Sequence, residues 1–107
     1  MDTTILRDVR AKEPEVKSIL QMRVKENIDQ GIPLVWSVVL GIVPENPELP
    51  QARGGHMRII VGYNPKTNEI LYTDSWGAGH ELKWMSAADA WTITMELIVI
   101  TPSALVM

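Results

Sequence analysis

From Pro14 to Gln30 the apolar residues Val16, Ile19, Leu20, Val24 and Ile28 recur at spacings of three and four, with Lys17, Gln21, Lys25 and Glu26 falling between them. That period puts the apolar set on one face of a helix. Pro14 suits the first turn, Glu13 and Glu15 complement the positive end of the helix dipole, and Gly31 can take the left-handed conformation that ends it. Before Glu13 the chain is polar, and Ile5, Leu6 and Val9 are compatible with a short helix or a strand.

After the helix the pattern changes period. Leu34 to Leu40 is almost unbroken apolar, valine-rich and bounded by Pro33 and Gly41, which predicts a central strand buried on both faces. Pro44 to Gly55 carries three prolines and two adjacent glycines, a composition that cannot pair inside a sheet and predicts a long loop. Met57 to Tyr63 and Ile70 to Thr73 read as two strands joined through Asn64-Pro65-Lys66-Thr67-Asn68, an antiparallel hairpin. Ser75 to Glu81 must turn, with Gly77 and Gly79 to allow it. Leu82 to Met85 reads as a short strand, Ser86 to Trp91 as a short helix in which Ser86 and Asp89 fit a capping box, and Ile93 to Ile100 as a last strand ended by Pro102. The sum is an α+β domain spanning 1–107: an antiparallel sheet of about four or five strands with one main helix packed on a face.

Composition narrows what such a domain does. Apolar residues at 46% against 21% charged mark a folding chain of one core. The net charge of −3 and the scattered ten Lys and Arg residues provide no footprint for phosphates, so nucleic acid is not an expected partner. No apolar run reaches the roughly 20 residues that cross a bilayer, and the N-terminus alternates charge too early for a secretory signal. Membrane is therefore not an expected partner either, and the compartment stays open. Absence of cysteine excludes disulfides, thiolate metal sites and a cysteine nucleophile within the chain. The two histidines, His56 and His80, lack the spacing of a metal site, and no cofactor is expected.

The chemistry concentrates at the hairpin. His56 and Asp74 are equidistant from Pro65, inside the predicted turn, so folding the hairpin brings an imidazole and a carboxylate to one end of the sheet. Whether they share a face depends on the register, which the pattern leaves undetermined. A His held by a carboxylate keeps one tautomer and is stabilised when protonated, as a general base requires. The plainer readings are a strand-end histidine bonded to a backbone carbonyl and an aspartate bonding the turn at Ser75. His80 has no evident partner and is expected to be exposed. Trp36, Trp84 and Trp91 are expected in a core or interface, and Glu45, Glu48 and Arg53 as solvated loop charges. None of Ser18, Ser37, Ser75, Ser86 and Ser103 is placed as an activated nucleophile.

These residues carry a resemblance. Gly55-His56-Met57-Arg58-Ile59-Ile60-Val61-Gly62-Tyr63-Asn64 resembles the strand of papain-like cysteine peptidases in which the catalytic His precedes apolar residues and a Gly-Tyr pair. Ile70-Leu71-Tyr72-Thr73-Asp74-Ser75-Trp76-Gly77 looks like the following strand with the third catalytic residue. An Asp there is similar to the C39-like branch, whose members often read Asp-Pro-Trp-Gly. Gln30-Gly31-Ile32-Pro33-Leu34-Val35-Trp36 looks like the strand preceding the catalytic His strand, and Met85-Ser86 through Trp91 resembles the Ser-capped helix near the C39-like terminus. The likeness covers roughly 15–100.

What the resemblance implies is a C-terminal, sheet-containing lobe with His56 as base, Asp74 as its orienter and Trp76 shielding their contact from water. The family's nucleophilic Cys and the Gln ahead of it belong to an N-terminal lobe, and neither a matching segment nor a cysteine occurs here. Two functions follow as expectations. One is the base-and-orienter half of a cysteine peptidase, inactive by itself, with a peptide or protein substrate and the N-terminal lobe as partners. The other is a non-catalytic module that binds peptide or protein in the same cleft. Apolar surface uncovered by a missing lobe predicts self-association, as a symmetric dimer.

Overall fold

Alternating and continuous apolar segments pair into one antiparallel sheet of six strands, ordered β1-β6-β2-β3-β4-β5. The structure, a computed structural model, describes residues 2–7 and 15–101, with side-chain surroundings over 22–99. The elements are β1 (Asp2–Arg7), α1 (Glu15–Ile28), β2 (Leu34–Leu40), β3 (Gly54–Asn64), β4 (Glu69–Thr73), β5 (Lys83–Ser86), α2 (Ala87–Ile93) and β6 (Thr94–Thr101). The α+β class expected from the pattern is the one found. The sheet is widened by β1, which pairs with β6 from Asp2 opposite Thr101 to Arg7 opposite Glu96. The expectations for Val9, Glu13, Pro14, Pro102 and Ser103 fall outside the described residues.

Helix α1 ends as its sequence requires. Gly31 takes φ +77°, the Gly31 N–H donates to Ile28 O at 2.9 Å and the Ile32 N–H to Asn27 O at 2.9 Å. These two bonds satisfy carbonyls that a helix end leaves open, in the pattern of a Schellman cap. At α2 the Ser86 hydroxyl accepts from the Asp89 N–H at 3.1 Å, the N-cap bond that a serine there supplies.

Both helices cover one face of the sheet. Leu34, Trp36, Val38 and Leu40 of β2, Ile60 of β3, Ile70 and Tyr72 of β4, Met85 of β5, and Leu97 and Val99 of β6 form the core with Val24 of α1 and Ala90, Trp91 and Ile93 of α2. Trp36 anchors it, donating from Nε1 to Thr94 Oγ1 at 2.7 Å. Strand β2 is central as expected, yet only its even positions are buried; Val35, Ser37 and Val39 are half covered. The reason is that both helices pack on the inner face, so the strand alternates as a one-sided antiparallel strand does. On the outer face Met57, Ile59, Val61 and Trp84 are 52%, 41%, 37% and 50% exposed.

Candidate functional site

A bulge in β3 decides what the hairpin brings together. Next to the turn Asn64 faces Glu69 and Gly62 faces Leu71, whereas beyond Val61 the partners become Ile60 with Tyr72 and Ile59 with Thr73. Continued without the extra residue, the first register would set even positions of β3 against odd positions of β4. His56 and Asp74 would then point to opposite faces, because side chains alternate along each strand and opposed residues share a face. The bulge at Val61 restores even against even, and the two side chains meet on the inner face. The turn itself is held by Asn64 Oδ1, which accepts from the Lys66 and Thr67 N–H groups at 2.9 and 3.3 Å.

His56 Nε2 lies 2.8 Å from Asp74 Oδ1. A carboxylate only accepts, so in the neutral ring this contact puts the proton on Nε2 and the lone pair on Nδ1. Nδ1 has no hydrogen-bond partner among the described residues. Trp76 lies flat on the imidazole, centroids 4.1 Å apart and planes 8° apart, covering one ring face. The His56 side chain is 13% exposed and the Asp74 side chain fully covered, so the pair opens to solvent only at the imidazole. The structure thus brings His56, Asp74 and Trp76 together.

The structure adds residues that the sequence reading passed over. Arg58, two places beyond His56 and on the same face, donates from Nε to Asp74 Oδ1 at 2.9 Å and from Nη2 to Glu45 Oε1 at 2.7 Å. Its guanidinium lies 4.6 Å from the Tyr72 ring centroid and 5.6 Å from that of Trp36. The Tyr72 hydroxyl donates to Glu45 Oε1 at 2.7 Å. Lys83 Nζ forms an ion pair with Asp74 Oδ2 at 2.7 Å, off the direction of a hydrogen bond, and meets His80 Nδ1 at 3.0 Å. Two expectations are corrected. Glu45 is no solvated loop charge, since its side chain is 2% exposed against Arg58. His80 is buried, its ring edge-on to Trp76 at 5.6 Å between centroids. In both cases the physical reason is a cation at an inward position: Arg58 and Lys83 need acceptors there, and burying either charge unpaired would be costly.

Local backbone geometry places these groups. The Asp74 N–H donates to His80 O at 3.0 Å and the His80 N–H to Gly77 O at 2.9 Å, closing 74–80 into a turn through Gly77 at φ +85°. The loop carrying Glu45 starts at Gly41, φ +87°, where a Cβ would come within 2.5 Å of Ala52 O. Only glycine lets the two ends of that loop approach so closely.

Electrostatics follow from the packing. Burial pushes the Asp74 carboxyl up, but the hydrogen bond and charge of Arg58 and the close Lys83 ammonium, with His56 adding, outweigh it and hold the group below the usual carboxylate range. Burial lowers Arg58, and Asp74 and Glu45 more than restore it, so its affinity for the proton is raised. Tyr72 is pushed far up, first by burial and then by its acceptor Glu45. The arrangement amounts to an imidazole oriented by a fixed anion, with one nitrogen able to accept a proton from a group placed beside it.

Comparison with known proteins adds one match. The model of the Peptidase_C39 like family matches residues 12–97. Among curated proteins no sequence matches this chain.

Proposed function

The chain belongs to the peptidase C39-like family, and we propose that it supplies the base and orienting carboxylate of a cysteine-peptidase site to a nucleophile carried outside these 107 residues. His56 is the base and Asp74 its orienter. The observation that carries this reading is the 2.8 Å contact from His56 Nε2 to Asp74 Oδ1, which leaves Nδ1 free to take a proton. In the reaction a thiol placed beside Nδ1 gives up its proton to His56, and the thiolate adds to the peptide carbonyl. The imidazolium then returns that proton to the leaving amine as the tetrahedral intermediate collapses. Asp74 keeps the Nε2–H in place throughout and stabilises the transient positive charge. Trp76, stacked on the ring, keeps water from one side of the His56–Asp74 bond.

Two experiments test this. The isolated chain is expected to leave a peptide library uncut, and turnover abolished by His56→Ala would refute the assignment of the nucleophile elsewhere. Joined to the cysteine-bearing segment of its parent reading frame, the chain is expected to cleave peptides, with His56→Ala and Asp74→Ala each abolishing most of the rate; activity that survives both substitutions refutes the roles. The second reading, a peptide-binding module, draws on the absence of cysteine. It expects peptide binding that survives His56→Ala and no turnover after joining.

Self-association belongs to the same proposal, with one change in where it occurs. The apolar side chains left open, Met57, Ile59, Val61 and Trp84, alternate with the inward ones and so lie on the face opposite His56. A second copy seated there covers apolar surface and leaves the imidazole accessible.

A further inference from the structure

Asp74 is approached from three directions, and its two oxygens have different partners. Oδ1 takes His56 Nε2 at 2.8 Å and Arg58 Nε at 2.9 Å, while Oδ2 faces the Lys83 ammonium at 2.7 Å. Lys83 is held from behind by His80 Nδ1 at 3.0 Å and flanked by the rings of Tyr72 and Trp76, with centroids 5.2 and 5.9 Å from Nζ. Its side chain is only 4% exposed. A buried ion pair of this kind is weak evidence for stability, because an apolar side chain of similar volume often does as well or better. What an apolar substitute cannot do is hold Oδ2. Without that hold, rotation about the Cβ–Cγ bond is restrained among the described residues only at Oδ1, by His56 Nε2 and Arg58 Nε, and Oδ1 is kept less firmly in line with the imidazole.

The formal charges point the same way. Glu45 and Asp74 are opposed by Arg58 and Lys83, so the buried cluster is neutral before His56 is counted.

We propose that Lys83 is a positioning residue for His56: by pinning Asp74 Oδ2 it keeps Oδ1 on Nε2–H, so that the imidazole rests in the tautomer whose Nδ1 lone pair is free. This rests on the reading of His56 as base, but its test does not use turnover, so failure of one is distinguishable from failure of the other.

With only two histidines in the chain, imidazole nitrogen NMR of the 15N-labelled protein resolves His56 directly. The intact chain is expected to show His56 as a single Nε2–H tautomer. In Lys83→Met, which keeps the apolar stem, the ratio of Nε2–H to Nδ1–H is expected to fall on the order of tenfold, the effect of misaligning the charge-assisted hydrogen bond from His56 Nε2 to Asp74 Oδ1. In the same variant the Asp74 carboxyl carbon should titrate at higher pH than in the intact chain. A folded Lys83→Met protein that keeps the pure Nε2–H tautomer overturns the proposal. Should that variant not fold, the ammonium protons of the intact chain decide. Exchange much slower than that of the exposed Lys66 supports the pinned pair, and exchange as fast as that of Lys66 overturns it.

Discussion

Replacing Arg58 by methionine is the sharpest single perturbation of the buried cluster. The guanidinium is fully covered and links two covered carboxylates, at 2.9 Å to Asp74 and 2.7 Å to Glu45. Methionine keeps apolar bulk between Trp36 and Tyr72 but removes the charge. Asp74 is then left with Lys83 and His56, and Glu45 with the Tyr72 hydroxyl and Lys83 at 3.9 Å. Breaking a buried pair by removing one partner costs about 3–5 kcal/mol, against about 0–1 kcal/mol for an exposed pair. Against a domain stability of about 5–15 kcal/mol that is a large fraction, and for a domain of this size it corresponds to a Tm loss on the order of 13–22 °C. The assay is urea or thermal unfolding at neutral pH, followed by tryptophan fluorescence and circular dichroism.

The pH dependence supplies an independent check with a definite sign. Burial raises Asp74, Arg58 and Lys83 lower it, and the net is a folded value below the reference of 3.8. A depressed carboxyl contributes stability above its unfolded value and loses it as pH falls through the folded one. Arg58→Met removes the largest influence holding it down. The difference between the intact chain and the variant is therefore expected to shrink as pH is lowered from neutral through the carboxylate range. A loss under about 1 kcal/mol at neutral pH, or a difference of constant size with pH, would refute the reasoning.

Two further outcomes follow from the same geometry. Tyr72 is covered and donates to Glu45, with its phenol pushed far above the ordinary range by burial and then by that acceptor; in a Tyr63→Phe background, ultraviolet titration should show no tyrosinate until the chain unfolds, and ionisation of the folded protein would contradict the described contact. Light scattering of the concentrated chain should show a species larger than a monomer, with Ile59→Lys and Trp84→Lys each returning it to monomer; a strictly monomeric intact chain would dismiss the outer-face dimer.

Some of this is readable in the sequence itself. The three-four spacing from Val16 to Ile28, with Gly31 after it, has one folded solution, because an α-helix repeats every 3.6 residues and a left-handed cap admits glycine cheaply. Strand β2 was delimited to the residue by Pro33 and Gly41; the Asn-Pro-Lys-Thr-Asn turn placed the hairpin, but its first strand starts at Gly54, because Gly54 and Gly55, expected in the loop, pair with Leu40 and Val39. The pairing of His56 with Asp74 was legible as a proximity, since a hairpin must bring together residues equidistant from its turn. Arg58 and Lys83 carried a signal that went unread: a charged residue in phase with the inward apolar positions of its strand needs a buried partner.

Which face those residues share was a different kind of fact. It depends on one extra residue at Val61, and a one-residue slip turns a strand over without changing its composition or its apolar count. Nor does local pattern reveal that Glu45, from a proline-rich loop, reaches Arg58, or that His80 backs Lys83. Those contacts join residues 13 and 3 positions apart through the fold of loops around a buried charge, and charge satisfaction is settled only when every packed element is in place. The sequence by itself therefore determined the elements from α1 to β6, their class and the chemistry available at one end of a hairpin, but left β1 open. Tertiary structure alone decided that the imidazole and carboxylate share a face, and that the carboxylate is held by two buried cations.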